Sequence, residues 1–210
     1  VLLKNENQLL PLDAKSLKSI AIIGPNADQV QFGDYTWSRN NKDGVTPLQG
    51  IKNRVNKNTA IHYAKGCSLT SLDTSGIAEA VEAAKNSEVA VIFGGSASAA
   101  LARDYKSSTC GEGFDLNDLN LTGAQSQLIR EVYRTGTPVI LVLVTGKPFV
   151  IEWEKNNLPA ILVQWYAGEQ AGNSIADILF GEVVPSGRLT FSFPRSTGHL
   201  PVYYNYLPSD

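Results

Sequence analysis

Two stretches of this chain carry no polar side chain at all: VAVIFGG (89–95) and VILVLV inside PVILVLVTG (138–146). A strand with one wet face alternates apolar and polar residues. A strand without that alternation is covered on both faces, which is the situation in parallel sheets flanked by helices. SIAIIGP (19–25), TAIHYAKG (59–66), AILVQWYAG (160–168) and RLTFSFP (188–194) are expected as further strands. Between them lie TPLQGIKNRVN (46–56), SLDTSGIAEAVEAAKNSE (71–88), TGAQSQLIREVYRTG (122–136) and QAGNSIADILFG (170–181), with apolar residues at helical spacing. In the second of these, Ile77, Val81, Ala84 and Val89 fall near one face. Thr122 is the expected cap of the third and Gly136 its expected stop. The alternation predicts an α/β fold, a three-layer α/β/α sandwich around a mostly parallel, doubly wound sheet of about six strands. The 210 residues are expected to form one domain, 1–210, with an N-terminal arm (1–18) and an extended tail (195–210).

Charge and motif content narrow the function. A net charge of −2 with no Lys/Arg-rich run gives no footprint for nucleic acid. The longest apolar runs fall far short of the roughly 20 residues a membrane helix needs. GGSAS (94–98) follows a strand, but neither G-x-G-x-x-G nor G-x-x-x-x-G-K-[ST] occurs, so nucleotide binding has little support. No G-x-S-x-G elbow marks a serine hydrolase. No cofactor and no metal are expected, since His62 and His199 are far apart and neither Cys67 nor Cys110 has a ligand-type neighbour. The two cysteines allow one disulfide or two free thiols, and the sequence leaves both open. The chain opens at Val1 and holds no Met, so it is expected to be a piece, or a processed product, of a longer protein.

In doubly wound sheets, ligands bind beyond the carboxyl ends of the strands. Two connections leaving such ends, 26–45 and 96–121, are far longer than usual and therefore candidates for function. They hold Tyr35, Trp37, Arg39, Arg103, Tyr105, Cys110 and Glu112, a mixture of aromatics and charges suited to recognition. Within CGEGFDLNDLNLTG (110–123), Glu112 stands between Gly111 and Gly113. Such a carboxyl group is either a solvated loop residue or a proton donor that the loop carries to a substrate. Asp115 and Asp118 suit the ordering of local backbone. Tyr35 and Trp37 suit either loop packing or stacking on the apolar face of a sugar or a base, and with Arg103 they are the expected substrate-binding residues. Glycosidic cleavage uses two carboxylates. With one glutamate in a suitable loop, the second would come from elsewhere.

VLLKNENQLLPL (1–12), IAIIGPNAD (20–28), GEGFD (111–115), TGKPFVIEW (145–153), WYAGEQAGNSIADILFGEVVPSGRLTFSFP (165–194) and GHLPVYYN (198–205) together resemble the C-terminal α/β domain of glycoside hydrolase family 3, the β-glucosidase and β-xylosidase family. The likeness runs over essentially the whole chain. It implies a TIM-like barrel partner in the same polypeptide, joined through the 1–18 arm and carrying a nucleophilic aspartate. It implies Glu112 as general acid/base, and Tyr35, with Trp37 close by, at the sugar entrance. Retaining hydrolysis of terminal β-linked glucose or xylose follows, in the periplasm or outside the cell, and the 210 residues alone are expected to fold but not to turn over substrate. Two departures stand out: Leu116 occupies a position often held by arginine, and the loop 96–110 is longer than in many relatives. The rival expectations are a non-catalytic sugar-binding or domain-docking module of the same fold, and a flavodoxin-like nucleotide or phosphate binder.

Overall fold

A computed structural model of the chain describes residues 1–38, 40–98, 109–113 and 115–203. Six strands form one sheet: β1 (Leu2–Asn5), β2 (Ser19–Ile23), β3 (Ala60–Ala64), β4 (Val89–Gly95), β5 (Val139–Val144) and β6 (Ala160–Val163). Their spatial order is β1-β6-β5-β4-β2-β3. All neighbours run parallel except β1, which pairs antiparallel with β6 through Leu2↔Leu162 and Asn5↔Ala160. Among the described residues five α-helices accompany them: α1 (Pro47–Arg54), α2 (Ile77–Lys85), α3 (Gln125–Tyr133), α4 (Glu152–Asn157) and α5 (Ala171–Leu179).

The unbroken apolar strands are buried on both faces, as their composition requires. Every residue of β4, β5 and β6 is buried. Alternate strand residues feed two separate cores. Ala21, Ile23, Ile92, Leu141 and Leu143 pack with Ile77 and Ala80 of α2 and with Leu128 and Ile129 of α3. Ile20, Ile22, Phe93, Ile140 and Val142 pack with Leu48 and Ile51 of α1 and with Ile175, Ala176 and Leu179 of α5. The molecule is therefore the expected three-layer sandwich, α1 and α5 on one side and α2 and α3 on the other. Helix α1 starts where its chemistry dictates: Thr46 Oγ1 accepts from Gln49 N at 3.2 Å, and Pro47 fills a first-turn position that needs no N–H.

Three expectations are corrected. RLTFSFP (188–194) is not a strand. The open side of β6 is taken by β1, and the Val1 amine donates to Val163 O at 2.8 Å. Leu189, Phe191 and Phe193 alternate as strand residues would, but Phe191 meets Trp165 edge to face with centroids 5.4 Å apart, and Phe193 packs against the core. Accordingly, the first residues of the 1–18 arm belong to the sheet. Thr122 does not cap α3, because its hydroxyl donates to Leu69 O at 2.7 Å and the helix begins at Gln125. The 71–88 helix begins only at Ile77, after a turn in which Asp73 accepts from the backbone and hydroxyl of Ser75.

Candidate active site

The chain runs from β2 outward to β3, then returns to lay β4 on the other side of β2 and continues through β5 to β6. The winding direction therefore reverses between β2 and β4. At such a reversal the connections leave on opposite sides of the sheet and open a crevice beyond the strand ends. The two long connections start here: residues 24–46 follow β2, and residues 96–124 follow β4. The sequence expectation that these loops carry function thus meets a topological reason.

The roots of both loops are fixed by buried polar groups. Asn26 is fully buried, and its amide donates to Gly94 O at 3.3 Å and Ser96 O at 3.4 Å, crossing from β2 to β4. Its Oδ1 accepts from Gln31 Nε2 at 2.8 Å. Gln125, at the start of α3, accepts from Gly95 N at 2.7 Å and donates to Gly95 O at 3.0 Å. The second loop is then pinched shut where it returns. Ser98 and Cys110 form a parallel bridge, Thr109 N donates to Ala97 O at 2.9 Å, and Lys147 Nζ donates to Thr109 O at 2.5 Å. Beneath this neck, the Tyr166 hydroxyl lies 2.7 Å from both Ser96 Oγ and Cys110 Sγ, and Ser96 Oγ donates to Thr145 Oγ1 at 3.0 Å. Burial pushes the Tyr166 phenol above its ordinary range, so it stays protonated and able to donate. Burial also draws the Lys147 ammonium below its usual range.

Glu112 lies two residues beyond this neck and is exposed. Gly111 and Gly113 have φ of +127° and +76°, conformations that side-chain-bearing residues rarely adopt, so the flanking glycines are required by the turn itself. Glu112 N donates to Asp34 Oδ2 at 2.7 Å. That bond brings the glutamate loop against the aromatic loop. In the latter, Thr36 Oγ1 donates to Gly33 O at 2.9 Å and to Ser38 O at 3.1 Å, and Ser38 bonds Asp43. Tyr35 and Trp37 are 77% and 78% exposed. Two large rings that exposed do not serve this domain's own packing. Trp37 is nevertheless held, since its Nε1 donates to Glu169 Oε1 at 3.2 Å.

Glu112, Tyr35 and Trp37 thus lie on loops at the carboxyl ends of the adjacent strands β4 and β2, the first on a loop bonded to the one that carries the other two. Arg103, Tyr105 and Arg39 lie outside the described residues. Asp118 orders backbone as expected: it accepts from Asn120 N at 3.0 Å and from Thr197 Oγ1 at 3.0 Å. Sequence reasoning missed Asp34 and Glu169, although Asp34 sits inside GDYTW and Glu169 at a strand-end turn. It also missed the Ser96–Cys110–Tyr166 neck, for which no local signal exists. The apolar groove of about 570 Å³ between Leu3, Ile151, Ile161, Leu189 and Phe193 shares no residue with these loops. Among the described residues, no cluster of His, Cys, Asp and Glu is placed to hold a metal ion.

Cys67 and Cys110 are both free and buried, which resolves the choice left open by the sequence. Burial pushes the Cys67 thiol up to about 11. At pH 8 roughly one such thiol in a thousand is the reactive thiolate. Unfolded, unreduced protein is therefore expected to titrate two thiols, and native protein to react far more slowly at Cys67. A count of none in the unfolded state would restore the disulfide.

A model for the "Glycosyl hydrolase family 3 C-terminal domain" matches residues 1–210. The chain is 42% identical over 210 residues to a β-xylosidase of Formosa agariphila, a match covering 97% of this chain and 28% of that protein. It is 39% identical over 231 residues to a periplasmic β-glucosidase of Salmonella typhimurium, covering 99% of this chain and 28% of that one. Among solved structures, a β-glucosidase from Listeria innocua in complex with isofagomine superposes with a TM-score of 0.85 at 31% identity, over 100% of this chain and 27% of the other. The chain spans less than a third of the length of each of these relatives.

Proposed function

Because the chain belongs to the glycosyl hydrolase family 3 C-terminal domains, we propose that it supplies the acid/base loop of a retaining β-glycosidase whose nucleophile lies on a barrel domain of the same polypeptide. The observation that carries this reading is the meeting of Glu112 with the Tyr35–Trp37 turn at the switch point, through the Asp34–Glu112 bond. An exposed glutamate on a loop bonded to the turn that carries two exposed rings is what a shared site needs from the domain that does not hold the nucleophile.

In the first half-reaction the barrel carboxylate attacks the anomeric carbon while Glu112 gives its proton to the departing glycosidic oxygen. In the second, the Glu112 carboxylate takes a proton from water as that water attacks the covalent glycosyl-enzyme. Retention of configuration sets the two carboxyl groups about 5–5.5 Å apart. Tyr35 and Trp37 give the sugar its apolar stacking faces, and Arg103 provides a donor for its hydroxyls. The relatives named β-xylosidase and β-glucosidase support terminal β-linked xylose or glucose as the group removed, and the periplasmic one supports action in the periplasm or outside the cell.

The test compares the 210-residue chain with the polypeptide that joins it to the barrel, both assayed on aryl β-glucosides and β-xylosides. The joined protein is expected to turn over and the isolated chain to be folded and silent. Turnover by the isolated chain would refute the shared site. A joined protein that binds these sugars without cleaving them would favour the docking module.

A further inference from the structure

We propose that Asp34 is a positioning residue for Glu112, the strut through which the aromatic turn and the glutamate loop move as one body. The inference rests on Glu112 being the proton donor.

The loop carrying Glu112 is fixed at its neck by the Ser98–Cys110 bridge and by Lys147 on Thr109. Past the neck come Gly111, Glu112 and Gly113, a tripeptide whose end residues constrain the backbone least of all. The Glu112 carboxyl group hangs from a Cα whose direction is set by the peptide plane before it. Among the described residues, the N–H of that plane donates to Asp34 Oδ2 at 2.7 Å, a length typical of bonds to a charged partner. Fixing this N–H fixes the position of the Cα from which the side chain departs and leaves rotation about N–Cα to aim it.

The other end of the strut is firmer. Asp34 is half-buried and stands between Gly33 and Tyr35 in a turn closed by the Thr36 hydroxyl on Gly33 O and Ser38 O. Three residues on, Trp37 is tied to Glu169 in the turn between β6 and α5, and Glu169 O itself accepts from Val45 N at 2.7 Å. A pyranose seated on Tyr35 and Trp37 is therefore referenced to the same rigid turn that aims Glu112. Stacking and proton donation are registered against each other by one carboxylate.

The experiment uses the polypeptide that includes the barrel, with Asp34→Ala and Asp34→Asn. An asparagine Oδ1 can still accept the Glu112 N–H, while alanine leaves it without that partner. Amide hydrogen exchange of residues 109–113 is read first. Asp34→Ala is expected to speed exchange at Glu112 about tenfold, the scale of one lost hydrogen bond to a charged group, and Asp34→Asn to stay within a few-fold of wild type. Hydrolysis is read second. Asp34→Ala is expected to lose about tenfold in kcat/KM on glycosides with poor leaving groups, with much less loss on good ones, and Asp34→Asn to recover most of it.

Unchanged exchange in Asp34→Ala overturns the strut whatever the kinetics. Faster exchange with equal losses for both leaving-group classes overturns the positioning role and leaves Asp34 as loop structure only. Glu112→Gln run in parallel separates the two layers. If it shows no leaving-group preference, the proton-donor reading falls and the catalytic half of the proposal falls with it, while the exchange data still judge the strut.

Discussion

Glu112→Gln, in a polypeptide that joins this domain to the proposed barrel, is expected to lower kcat/KM on alkyl and disaccharide β-glycosides by about 10²–10⁴-fold, the contribution of a positioned general acid. Glutamine preserves shape and hydrogen bonding but has no acidic proton to give, so the sugar would have to leave as a charged alkoxide that only solvent can protonate. A nitrophenolate spreads its own negative charge and departs without that help, so the same variant should lose little in kcat/KM on nitrophenyl substrates. The second half-reaction then becomes the bottleneck, because no base remains to activate water. The covalent intermediate should accumulate as a burst, with kcat and KM falling together. Azide, a nucleophile that needs no base, should restore turnover and yield a glycosyl azide. Uniform losses across leaving groups, or none, would place the proton donor elsewhere and leave residues 111–113 as a turn only. Running glucosides beside xylosides in the wild type also names the preferred sugar.

The second large effect concerns packing behind the site. Gly50→Ala should lower stability by about 2–3 kcal/mol, against the usual gain of about 1 kcal/mol for alanine over glycine inside a helix. Helices α1 and α5 cross so closely that a Cβ on Gly50 would overlap the backbone carbonyl of Gly172, and one on Gly172 would overlap that of Thr46. Backbone cannot rotate out of the way, so the helices must part. Parting them strips contact from Leu48, Ile51, Ile175 and Leu179, all nearly fully buried. For a chain of this size the melting temperature should fall by roughly 5–10 °C. Lys52→Ala, exposed on the same helix, should change stability by no more than about 0.5 kcal/mol. The consequence reaches the site, since Gly172 N donates to Val45 O at 2.8 Å and Val45 N to Glu169 O at 2.7 Å, the residue that holds Trp37. A melting temperature that rises in Gly50→Ala would refute the account.

Strand content was legible wherever burial on both faces left a continuous apolar run, as in β4 and β5. It misled at RLTFSFP, whose alternating Leu189, Phe191 and Phe193 have the period of a strand but bury themselves on Trp165 and the core without any ladder. It was silent at LLKN, four residues too few to show a period, whose strand character comes from the vacant edge of β6. The site divides in the same way. The loops that carry Glu112, Tyr35 and Trp37 could be picked out because long connections after strand ends are visible in a sequence. The bonds that orient them could not, because Asp34 meets Glu112 across 78 residues and Trp37 meets Glu169 across 132. Tyr166 was read inside a strand, whereas β6 stops at Val163 and Trp165 turns the chain with φ of +61°.

The pairing of β1 with β6 also sets an order of events during synthesis. Leu2 is hydrogen-bonded into a strand whose partner, Leu162, is made 160 residues later, a delay of roughly 8–30 s at ordinary translation rates. Leu10 and Leu12 wait as well, because they pack into the core that α5 completes, and Leu12 N binds Leu179 O. Through that interval β2, β3 and β4 can already assemble with α1 and α2, since their pairings lie within the first 95 residues. Within this domain the opening dozen residues are thus made first, and they must wait for β6 and α5 before they can pair and pack.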